Sequence, residues 1–116
     1  MRFMTLVKSA ETNGPPPQAL MDAIAKQGDE ATRSGTMVEM GGLVPSAAGA
    51  RVRLSKGKVV ITDGPFSEAK EVIGGFAVFE LPSREAAVEA AKRFMELHRE
   101  QWPGWEGETE VRQIFG

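Results

Sequence analysis

Cysteine is absent from this chain of 116 residues, which excludes disulfides, zinc–thiolate sites and thiol nucleophiles together. Histidine occurs once, at His98, so no multi-histidine metal site and no histidine pair can form within one chain. No bound metal and no cofactor is therefore expected. No run approaches the roughly 18 apolar residues that a membrane span requires. The opening Met1-Arg2-Phe3-Met4-Thr5-Leu6-Val7-Lys8 is too short between charges for a signal peptide, so a cytoplasmic chain with no membrane association is expected. A net charge of −2 offers no general attraction to phosphate backbones, and no nucleic-acid partner is expected. No glycine-rich loop precedes a helix, and no carboxylates fall at calcium-loop spacing. No internal repeat, low-complexity tract or linker interrupts the chain. At 41% hydrophobic and 26% charged it reads as one folded domain spanning residues 1–116.

What is present alternates between two periodicities. Residues 2–8 read as a strand with apolar side chains on both faces, Phe3 and Val7 one way and Met4 and Leu6 the other. The proline run Pro15–Pro17 opens a helix expected from Pro15 to Ser34, with Leu20, Ile24 and Ala31 on its apolar side. Gly28 weakens that helix by about 1 kcal/mol relative to alanine, and Gly35 is placed to cap its end. Thr36 to Val44 returns to a strand pattern, with Gly41-Gly42 signalling a bulge or a close backbone approach. Arg51–Ser55 and Lys58–Thr62 are joined by Lys56-Gly57 and read as a hairpin. Ser67 to Val72 is a charged connection, and Phe76–Leu81 is a second strand apolar on both faces. Ser83 is placed as the N-cap of a helix whose stripe is Ala87, Val88, Ala91, Phe94, Met95 and His98. Glu108 to Phe115 closes the chain as a final strand.

The order is thus β-α-β, hairpin, β-α-β. With the inserted hairpin removed, a ferredoxin-like βαββαβ arrangement of the α+β class remains. Two helices cover one face of such a sheet, so the apolar residues of the opposite face predict an association surface and a homodimer built sheet to sheet. The competing expectation is a monomer whose hairpin and loops cover that face.

Between residues 51 and 76 the pattern becomes more specific. Arg51-Val52-Arg53, then Val60 through Asp63-Gly64-Pro65-Phe66-Ser67-Glu68-Ala69-Lys70-Glu71, then Gly74-Gly75-Phe76, resembles the YCII-related family, in the branch with the Asp-Gly-Pro-Phe signature. The closing Glu110–Phe115 is similar to that branch's last strand. The resemblance implies a ferredoxin-like fold forming dimeric α+β barrels. It supplies no generally established reaction, although it implies a small-molecule cleft with an acid/base pair for some members. Those members pair an aspartate with a histidine on the first helix, and the first helix here has none, so that dyad does not carry over. The branch is also associated by neighbourhood with extracytoplasmic-function sigma factors, which implies a regulatory partnership as a second reading.

Asp63 is the first candidate for chemistry. It ends a strand abruptly beside glycine and proline, where partial burial would suit a general acid or base. The plainer alternative is a turn aspartate whose carboxylate accepts backbone N–H groups. Gly64 and Pro65 shape the turn, and Phe66 reads as a core anchor ahead of a stacking platform for a ligand. Lys70 is placed to hold an anionic substrate, with Glu68 or Glu71 accepting a proton, against the alternative of a solvated charged connection. Arg51 and Arg53 share one hairpin face, as a carboxylate clamp or as charge that protects an edge. His98 is the one side chain titrating near neutrality, and it is also placed to interact with a helix C-terminus. The Trp102–Trp105 loop reads as packing ahead of a ligand lid. The expectation is a small-molecule-binding homodimer with metal-free proton-transfer chemistry: Asp63 and His98 as catalytic candidates, and Arg53, Gly64, Pro65, Phe66, Glu68 and Lys70 as the ligand-binding set. The alternative is a non-catalytic regulatory partner of a sigma factor or other protein.

Overall fold

A computed structural model describes residues 1–116. The N-terminal alternation becomes β1 (Arg2–Ser9), followed by α1 (Gln18–Arg33) and β2 (Met37–Gly42). The hairpin is β3 (Ala50–Ser55) and β4 (Lys58–Asp63), and the chain returns through β5 (Val72–Glu80), α2 (Arg84–Gln101) and β6 (Gly107–Gln113). Short 3-10 turns lie at Glu11–Asn13 and Ser46–Ala48. Four strands form one sheet in the order β2-β5-β1-β6, and the hairpin forms a two-stranded sheet of its own. Every neighbouring pair is antiparallel. Two helices with this sheet make a mixed α+β fold compatible with the expected ferredoxin-like architecture.

Register assigns the faces. Phe3 lies opposite Phe79, and Thr5 opposite Ala77 and Val111, so these share the face that the helices cover. Phe3, Leu20, Ala87 and Ala91 are the buried apolar residues at its centre. Gly28 is buried in α1 because a Cβ there would lie 2.6 Å from the Met40 sulfur, so the glycine that weakens the helix lets β2 pack against it. On the other face Met4 and Leu6 stand opposite Val78 and Phe76, with Lys8, Glu110 and Arg112 beside them. Lys8 and Arg112 both pair with Glu110, forming a charged border to this apolar strip.

Local signals mostly held. The Ser83 hydroxyl accepts the Ala86 N–H at 3.1 Å as the N-cap of α2. Gly35, just past α1, has φ +79°. Lys56 and Gly57 both take positive φ, as a two-residue hairpin turn of this hand requires.

Several boundaries differ. The first helix starts at Gln18 with Pro17 as its extended N-cap, because each residue before a proline is kept out of the α region. The strand expected from Phe76 begins at Val72: Gly74-Gly75 lies inside it, with Gly75 closely approached by the Gly41 carbonyl. At Gly41-Gly42 neither the expected bulge nor another backbone crowds the pair: an added Cβ on Gly41 would meet the Phe76 ring at 2.9 Å, nothing would meet one on Gly42, and the register shift of β2 falls between Met37 and Glu39. β2 ends at Gly42 rather than Val44, just ahead of Pro45, and β6 ends at Gln113. Val88, expected on the inner stripe of α2, is exposed.

The chain is flat and open. Its extents are 45 × 37 × 19 Å and its radius of gyration is 15.6 Å, against about 13.4 Å for a compact chain of this length. Its accessible surface is 8130 Å², against about 6,200 Å² for a folded monomer of its mass. On the central strands Met4, Leu6, Phe76 and Val78 are half-buried. Nine of the fourteen large exposed hydrophobic residues fall between Val38 and Ile61. The hairpin does not fold over the sheet, since Val52, Leu54, Val59 and Ile61 are 68–73% exposed. No helix is long and apolar enough to cross a membrane.

Candidate functional site

The hairpin root is tied down by backbone and by two side chains. Asp63 closes β4 opposite Ala50. The next residue, Gly64, donates its N–H to the Gly49 carbonyl at 2.8 Å, and the Gly64–Pro65 peptide is cis. Phe66 donates its N–H to the Ser46 hydroxyl at 2.9 Å. Ser46 in turn donates its hydroxyl to one Glu11 carboxylate oxygen and its N–H to the other at 2.7 Å. These bonds, the hydroxyl's first and then the N–H's, hold the Glu11 carboxyl below its ordinary range. Gly64 lies so close to the Ser46 carbonyl oxygen that an added Cβ would sit 1.6 Å from it. The close approach, rather than a positive φ, is what demands glycine there.

Phe66 anchors the outer part of the site. The Arg51 guanidinium lies 4.0 Å from its ring centroid and pairs with Glu68. The Glu68 carboxyl is lowered first by its own backbone N–H and then by Arg51. Arg51, half of the expected clamp, is therefore engaged within the chain, while Arg53 and Lys70 are exposed and form no ion pair.

The Asp63 carboxylate is exposed and accepts no hydrogen bond, so the turn is held without it. It shares a hairpin face with Val52, Leu54, Val59 and Ile61, because Ala50 is its partner and side chains alternate along the strands. Arg51 and Arg53 lie on the opposite face with Val60 and Thr62. Phe66 and Glu68 are thus brought together with Arg51, whereas Asp63 and Arg53 do not share a face.

His98 belongs to another neighbourhood. It is buried in the last turns of α2, with Nδ1 bonded to the Phe94 carbonyl at 2.9 Å. Its ring packs against Phe94 at 4.8 Å and Trp105 at 4.4 Å, between centroids. Trp105 covers Gly107, where a Cβ would meet the indole at 2.4 Å. A shallow groove of about 370 Å³ borders this cluster, lined by Met95, Arg99, Trp102, Trp105 and Glu106 among others. No hydrogen bond or ring contact joins His98 to Asp63.

Burial pushes His98 below its ordinary value of about 6.5, outweighing the Phe94 carbonyl bond that raises it. Below about pH 6.5 the unfolded chain takes up a proton that the folded chain resists, so stability is fully present above that pH and falls on acidification. The melting temperature of the parent is expected to drop more steeply between about pH 6.5 and pH 5 than that of His98→Gln. Parallel slopes across that window would remove the histidine from the account.

No three histidine, aspartate or glutamate side chains converge as a metal-holding group. Glu11 and Ser46 were invisible to sequence reasoning: they lie 35 residues apart, and neither carries a local motif beyond a polar residue beside a turn.

An uncharacterised protein of Rhizobium meliloti (strain 1021) is 33% identical over 72 residues, covering 62% of this chain. The match takes in 56% of that relative's length, so the chain spans about half of it. The model of the YCII-related domain matches residues 1–98, from β1 through the turn of α2 that carries His98, with the whole hairpin root inside it. The chain belongs to the YCII-related family.

Proposed function

We propose that this chain works as a single-domain, cytoplasmic homodimer of the Asp-Gly-Pro-Phe branch, a dimeric α+β barrel that binds a small molecule and moves a proton with Asp63, without a bound metal. The observation that carries this reading is the free carboxylate on a fixed backbone. Asp63 is flanked by a ladder partner and by the 2.8 Å Gly64–Gly49 bond, yet its own oxygens accept nothing within the chain. A base held in one place with its lone pairs available is what proton abstraction needs. Exposed Lys70 supplies positive charge for an anionic substrate, Arg53 on the opposite hairpin face adds attraction only at longer range, and Gly64, Pro65, Phe66 and Glu68 shape the root beside Asp63. In this reading His98 tunes packing beneath the tryptophan loop rather than reaching substrate.

The test is thermal shift of parent and Asp63→Asn against a metabolite library. Because the carboxylate makes no bond, the substitution is expected to change folding stability by no more than about 0.5 kcal/mol. Ligands that raise the parent's melting temperature are expected to lose that effect in the variant. Ligands that stabilise both chains equally would take the site away from Asp63. The second reading, a non-catalytic regulatory partner of a sigma factor or other protein, is favoured by the exposed apolar surface between Val38 and Ile61. A parent that is monomeric in solution and responds to no ligand would support it.

A further inference from the structure

We infer that the β3–β4 hairpin is an arm whose apolar face docks on a second copy of this chain, so that Asp63 lies at the seam between subunits. The inference rests on the homodimer reading and specifies which surface makes the contact. Val52 stands opposite Ile61 and Leu54 opposite Val59, which puts all four side chains on one face. Each is 68–73% exposed. A two-stranded hairpin is marginal in water by itself, and this one pairs with no third strand. It holds its shape in a chain that covers neither its apolar face nor its outer edges.

Two quantities point to a second copy as the occupant. The chain exposes about 2,000 Å² more than a folded monomer of its mass. That excess exceeds the roughly 800 Å² per partner of an ordinary interface and suits an obligate homodimer. The charge is also complementary: Arg51, Arg53, Lys56 and Lys58 against Asp63 give residues 50–63 a net +3. The whole chain is −2, so the remainder carries −5, and an identical subunit offers the arm an oppositely charged body.

Asp63 stands on the docking face, at the end nearest the root. Seating the arm therefore turns the carboxylate toward the second copy and closes off part of its solvent. The site is incomplete in one chain, and the partner subunit supplies its other wall.

The absence of cysteine makes the contact directly readable. Light scattering of the parent at micromolar protein is expected to give twice 12.5 kDa, and the double variant Val52→Asp/Ile61→Asp to give 12.5 kDa with unchanged circular dichroism. In a second arm, Ile61→Cys is expected to react with a maleimide reagent about tenfold more slowly than Lys26→Cys on exposed α1. A parent of monomer mass would overturn the homodimer reading and this inference together. A dimeric parent whose double variant stays dimeric, with Ile61→Cys labelled as fast as Lys26→Cys, would overturn the arm alone and leave a sheet-to-sheet dimer. Sedimentation of a monomeric parent with phosphatidylserine vesicles would assign the apolar face to a membrane instead and overturn the inference.

Discussion

Gly64→Ala is expected to break the hairpin root. A Cβ on Gly64 would lie 1.6 Å from the Ser46 carbonyl oxygen and 2.6 Å from its carbonyl carbon. Both are backbone atoms, so no rotamer change relieves the overlap. The root must instead separate, sacrificing the 2.8 Å bond from Gly64 to Gly49 and the 2.9 Å bond from Phe66 to the Ser46 hydroxyl. Steric strain with two lost hydrogen bonds costs about 4 kcal/mol or more, a large part of the roughly 5–15 kcal/mol that holds a domain together. Hydrogen exchange is expected to accelerate across residues 49–66, and the melting temperature to fall by roughly 10–20 °C. A variant that melts with the parent and protects the root equally well would contradict the packing described. Asp63→Asn, one residue away, is expected to be nearly silent in the same assays, and that contrast separates the fixed backbone from the free carboxylate.

Phe3→Ala carries the second large effect. Phe3 is 1% exposed near the start of β1, facing the helices, with Phe79 directly across on β5. Removing the ring leaves a void between sheet and helices that a regular strand cannot collapse to fill. Such truncations cost about 3–5 kcal/mol. The loss weighs more here because seven of the 116 residues are buried, so little else compensates. Urea denaturation is expected to show a lower midpoint with an unchanged slope. A midpoint shift worth less than about 1 kcal/mol would place the core elsewhere.

Local grammar carried most of the fold. The period of two at Arg2–Lys8, the Ser83 cap, the Gly35 stop and the Lys56-Gly57 turn each depend on residues a few positions apart, and each appears where the sequence puts it. What escaped depends on partners distant in the chain. The strand expected from Phe76 leaves Gly74-Gly75 outside it, yet pairing with β1 and β2 keeps these glycines extended within β5. The apolar helix-free face of the sheet was legible in the sequence, while the outward apolar face of the hairpin was not. The open face of the central strands is bordered by Lys8, Glu110 and Arg112, whereas the hairpin, which reads as a polar edge through Arg51 and Arg53, turns its apolar side outward. At the site, the Asp-Gly-Pro-Phe run announced a fixed turn. The choice between Asp63 as turn-former and as free carboxylate needed the positions of Gly49 and Ser46.

The link from Glu11 through Ser46 to Phe66 has a mechanical consequence. Glu11 follows the end of β1, and Phe66 follows the end of β4, so this clasp joins the central sheet to the foot of the projecting ribbon. The ribbon's tilt is set at its hinge by one carboxylate and one hydroxyl. A shift at the rim of the sheet would thereby be carried through the clasp to the far tip of the ribbon.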